Sequence, residues 1–129
     1  MELMIVGIII TILAATAIPG FQRAIEQGYW RSASDVLQAI YSGEQVYRTS
    51  NPTYVNPAGC GAPTGPWRCV YVDDPNGALP VTFTVGGVTA TTFTVTATRN
   101  AAGPACSSGR TQTINENRVI GGTWLLNSC

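Results

Sequence analysis

A chain of 129 residues has room for one domain with a modest core, and its seven basic residues, all Arg, are balanced by seven acidic ones. That balance removes the basic footprint of a nucleic-acid binder, and the lack of His removes the commonest metal ligand and the commonest general base. Ser and Thr are plentiful, but without His or Lys an ordinary serine triad or dyad cannot be built, so a non-enzymatic protein without a cofactor is expected.

The chain opens MELMIVGIIITILAATAIPGF, and between Glu2 and Arg23 no side chain carries charge. Twenty residues of α-helix over 3–22 would span about 30 Å, the thickness of a bilayer core. Three roles compete for this segment: a cleavable signal peptide, a simple anchor, or a helix that leaves the membrane to pack against copies of itself. Ala15-Thr16-Ala17 fits a cleavage site, but an acid stands where a signal peptide carries positive charge. A simple anchor leaves Glu2 unexplained, because a carboxylate entering hydrocarbon costs about 2.5–3.5 kcal/mol on the lenient insertion scales. It also leaves Pro19-Gly20 unexplained: Pro19 cannot donate to the Ala15 carbonyl and Gly20 resists unwinding least, so the helix is expected to bend or loosen there. The Thr16 hydroxyl is placed to satisfy a carbonyl freed in this way.

The run Glu2 through Phe21, E-L-M-I-V-x-I-I-x-x-I-L-A-A-x-A-I-P-x-F, resembles the N-terminal segment of type IV pilins and the related pseudopilins. In that family the glutamate lies a few residues inside a mature chain that begins with a methylated Phe after a leader ending in Gly. Glu2 would hold that place here, in a sequence that starts at Met1 without the leader, the Gly or the Phe. The resemblance implies an assembly role for Glu2, Pro19, Gly20 and Phe21. Buried in a filament core, the Glu2 carboxylate would meet the N-terminal ammonium of a neighbouring subunit, since a buried charge is tolerable only when paired.

Beyond Pro19 the apolar positions 21, 25, 29, 33, 36, 40 and 47 form a helical stripe, and the helix is expected to continue to about residue 49. Gln22, Arg23, Glu26, Gln27, Arg31, Asp35, Gln38 and Glu44 interleave with it and are expected to face water. Tyr29, Trp30, Tyr41 and Tyr47 are expected to serve as core packing.

Residues 51–78 are dense in Pro, Gly and Asn and read as a long variable loop. The string Asp73-Asp74-Pro75-Asn76-Gly77 groups three oxygen-bearing side chains, but no bidentate Glu follows at the EF-hand offset, so a turn is expected and no metal site. Strands with one buried face are expected at 81–85 and 93–97, where apolar residues alternate with Thr, and further ones at 112–115 and 124–126.

Four cysteines, at 60, 69, 106 and 129, suit an oxidising compartment and two disulfides, with three pairings open; the gaps are too wide for a zinc site. A bond between Cys60 and Cys69 would close a short loop and replace missing core. The C-terminal stretch from 93 onward also resembles the late half of many pilins, and that resemblance implies a bond between Cys106 and Cys129.

The expected fold is therefore α+β, the type IV pilin fold: a long N-terminal helix with a protruding hydrophobic half, packed on a roughly four-stranded antiparallel sheet. Residues 1–22 form the membrane and filament-core helix, 23–50 the amphipathic half, and 51–129 the disulfide-stabilised β domain. The resemblance implies a structural subunit of an extracellular bacterial filament. Such a subunit crosses the inner membrane once before assembly and is partnered by copies of itself and by the pilus assembly machinery. A pseudopilin of a type II secretion system's periplasmic pseudopilus is the alternative.

Overall fold

The computed structural model describes residues 2–61, 65–100 and 108–125. One helix, α1, runs Glu2–Ser50, followed by 3-10 turns at Pro57–Gly59 and Arg68–Val70 and four strands: β1 Val81–Gly86, β2 Thr94–Arg99, β3 Thr111–Asn115 and β4 Ile120–Gly122. The strands form one antiparallel sheet in chain order. Helix laid on meander is the expected α+β, pilin-like arrangement.

The sheet's two faces follow from period-two alternation. Val81, Phe83, Val85, Val95, Ala97 and Ile114 point inward and are buried. Outward, Thr82 and Thr84 flank Thr98 and Thr96 across the strand pair, and Thr96 lies opposite Thr113. β-branched Thr suits a pleated surface with one wet face.

The second half of α1 closes the inner face. Its buried stripe is Glu26, Ala33, Leu37, Ile40 and Glu44, with Trp30 half-buried in the same register. The steps of three, four and seven keep one helix face toward the sheet. Positions 33 and 40 were expected there; 25, 29, 36 and 47 lie at its margins, and Phe21 is exposed. Two glutamates expected in water are instead buried. Trp30 donates its indole N–H to the Trp124 carbonyl at 2.9 Å, and Gln112 of β3 donates to the Ser34 hydroxyl at 2.6 Å, tying helix to sheet.

The fourth strand differs from expectation: it is 120–122, while 124 and 125 lie outside any strand and 126 lies outside the described residues. Gly122, at φ 111°, passes so close to Thr111 that a Cβ would collide with its carbonyl, and this approach lets the short strand pair. Trp124 then turns beneath the sheet and is buried, its backbone N–H donating to the Thr111 carbonyl at 2.7 Å. Large aromatic area was better used as core than on an edge strand.

Candidate assembly surface

From Leu3 to Phe21 every residue of the helix is exposed. Leu3, Met4, Ile5, Ile8, Ile10, Ile12, Leu13, Ile18 and Phe21 are all more than half exposed. It is long and apolar enough to cross a membrane, and the apolar window is wholly unburied. Its two hydroxyls are spent internally: Thr11 donates to the Gly7 carbonyl at 2.8 Å and Thr16 to the Leu13 carbonyl at 3.0 Å. These bonds pair both hydroxyl protons of the segment within the helix. Gly7 and Thr11 also leave a shallow trough bordered by Met4, Ile8 and Ile12.

Glu2 is the first residue of α1; its side chain lies outside what the structure describes. Pro19, Gly20 and Phe21 follow on the same unbroken helix, and a Cβ at Gly20 would meet open space. The helix of this single chain runs unbroken through Pro19 rather than loosening there. One lost donor does not terminate a helix whose neighbouring turns keep their bonds. Thr16 reaches back to Leu13, and at 3.5 Å to Ile12, rather than to the Ala15 carbonyl as expected. The backward i−3 and i−4 geometry is what a helical Thr finds within reach.

Cys60 and Cys69 are bonded to each other. Cys106 and Cys129 lie outside the described residues. Among the described residues no group of three His, Cys, Asp or Glu is placed to hold a metal. The three oxygen-bearing side chains of the Asp73–Asn76 string have separate partners. Asp73 pairs with Arg68 at 3.0 Å on the surface, Asp74 accepts from the Asn76 backbone N–H, and Asn76 brackets Phe83 by accepting from its N–H and donating to its carbonyl. The last pair caps the outer edge of β1 much as a strand would.

Two buried ionic features were not foreseen. Arg99, at the inward end of β2, forms a bidentate pair with Glu26 at 2.9 and 3.1 Å and donates to the Pro80 and Asn100 carbonyls, while its guanidinium lies 5.0 Å from the Tyr29 ring centre. Glu44 is fully buried at the other end of the helical stripe, with Oε2 accepting from the Val55 N–H at 3.1 Å. Burial pushes its carboxyl from 4.5 up to about 7, against the opposing pull of the Val55 hydrogen bond.

Comparison with family models, with curated proteins and with solved structures gives no match. The fold and this surface define an α+β domain whose single N-terminal helix is long and apolar enough to serve as a membrane anchor. One half of that helix is built into the domain's core, and the other half exposes its apolar side chains.

Proposed function

We propose that the chain is a structural subunit of an extracellular filament of the type IV pilus kind. Before assembly residues 3–22 cross the inner membrane once; in the filament they pack against the same segment of other copies, delivered by an assembly machinery. The observation that carries this is the division of α1: one half is the spine of the globular core, the other presents uninterrupted apolar surface to its surroundings. Soluble monomers rarely expose an apolar patch of this extent without a partner for it.

Glu2 supplies register. In the filament core its carboxylate pairs with the N-terminal ammonium of a neighbour, and a displaced register leaves both charges unpaired in an apolar medium. In cells carrying the assembly machinery, Glu2→Ala should leave the globular domain folded and membrane-inserted, yet abolish filaments sheared from the surface. Glu2→Asp should retain part of the yield. Filaments at parental yield from the Ala variant would overturn the pairing role. Recovery of the parental chain only in the periplasm, with none in sheared filaments, would favour a pseudopilin.

A further inference from the structure

We propose that Glu44 is a proton-operated latch on residues 51–56: protonated, its carboxyl holds this segment against α1, and ionised, it lets the segment go. The inference is independent of filament assembly and concerns the base of the long surface loop.

Glu44 sits in the penultimate turn of α1 with no exposed surface. One carboxyl oxygen holds the Val55 N–H, and the other, Oε1, is buried without a hydrogen-bond partner among the described residues. A buried carboxylate needs several donors or a cation, and this one has a single backbone donor. Protonation removes the charge and leaves Oε2 able to accept from Val55.

The cations nearby are committed elsewhere. Arg48, one turn along the helix, places its Nη1 on the Tyr54 hydroxyl at 3.2 Å and its guanidinium over the Tyr54 ring. Arg68, in the 3-10 turn packed on α1, pairs with Asp73. Arg99 of β2 is held by Glu26 at the far end of the stripe. Of the phenols on the neighbouring turns, Tyr54 is held by Arg48, the Tyr41 hydroxyl reaches the Glu116 carbonyl at 3.5 Å, Tyr47 is half-buried and Tyr71 is exposed. The Glu116 carboxylate, beyond β3, accepts from the Asn117 side chain.

At its start the latched segment is tied to α1 by Asn51, whose N–H and side-chain amide donate to the Arg48 and Tyr47 carbonyls. Tyr54 donates its N–H to the Thr89 carbonyl at 3.1 Å and packs its ring on Phe93. Pro57 then accepts from the Cys60 and Trp67 N–H groups, so the segment leads directly into the disulfide-closed loop. Next to Glu44, Gly43 packs so tightly on the Val70 carbonyl that a Cβ would collide with it. A charge arising at 44 thus acts at the joint between helix and loop.

The sign follows from a folded-state carboxyl raised to about 7 from 4.5. The latch contributes fully below the unfolded value, and its contribution is lost as pH rises through the folded value. The test is amide hydrogen exchange on the full chain in detergent micelles, read as protection factors so that intrinsic base catalysis cancels. Val55 and Tyr54 should lose about tenfold in protection between about pH 6 and pH 8, while Ile114 in β3 holds steady. Glu44→Gln, neutral at every pH and able to accept from Val55, should show flat protection. The Glu44 carboxyl carbon shift, followed by NMR in the parental chain, should titrate near neutrality and gives a readout should the variant not fold. A midpoint below about 5, or an equal loss of protection in the Gln variant, would overturn the latch.

Discussion

Arg99 and Glu26 lie seventy-three positions apart and meet because two periodicities bring them to one place. Along β2 the inward positions are 95, 97 and 99, so alternation alone sends Arg99 beneath the sheet. On α1 the stripe 26, 30, 33, 37, 40, 44 has helical spacing with a carboxylate at each end. Both facts are legible in the sequence. The default that places charged residues in water hides their meeting, and it fails when a partner on another element supplies the counter-charge. Removing one member strands the other: Arg99→Leu should cost about 3–5 kcal/mol, whereas Glu26→Leu with Arg99→Leu should cost far less. Denaturant unfolding of the full chain in micelles checks this, and additive losses in the double variant would show that the two side chains act separately.

At the scale of the element, α1 does two jobs with one continuous backbone. Its existence, length and apolar head were readable from composition and spacing; its end at Ser50 falls one residue past expectation. Its behaviour at Pro19-Gly20 was not readable, because propensity reports a local cost while continuity depends on the turns either side. That cost, about 4 kcal/mol for Pro and Gly together relative to Ala, remains stored in the helix. Under axial load in a filament, residues 15–20 should therefore yield first. Replacing both Pro19 and Gly20 by Ala should leave the single chain's helicity unchanged and give a filament that extends less in force measurements. Equal extension would place the compliance elsewhere. The strands show the same division of labour: β1 to β3 follow from Thr alternation, but β4 required knowing that Gly122 could approach Thr111 and that Trp124 was needed as core.

For the whole molecule, residues 51–78 were legible only as a loop, since they lack any period on which to hang a face. Their order comes from two 3-10 turns, Asn76 bracketing Phe83, and the Cys60–Cys69 bond, with Trp67 and Val70 contributed to the core. Closing a loop of nine-residue separation should be worth about 2.5 kcal/mol. Cys60→Ala with Cys69→Ala should lower the unfolding midpoint by several degrees and speed proteolysis between 56 and 72, with β-sheet circular dichroism retained below the transition. Unchanged cleavage there would mean that packing of Trp67, not the bond, orders the loop.

The meander has a kinetic consequence. Every strand pairs with its neighbour in the chain, so each hairpin closes over a short stretch and needs no distant segment to set its register. Among the described residues the hydrogen bonds of α1 to Gln112 and Trp124 reach farthest along the chain, spanning 78 and 94 positions. Search time is therefore concentrated in one event, the docking of a preformed helix onto a sheet already paired. A helix whose other half is held in a membrane makes that search shorter, because one partner no longer diffuses freely.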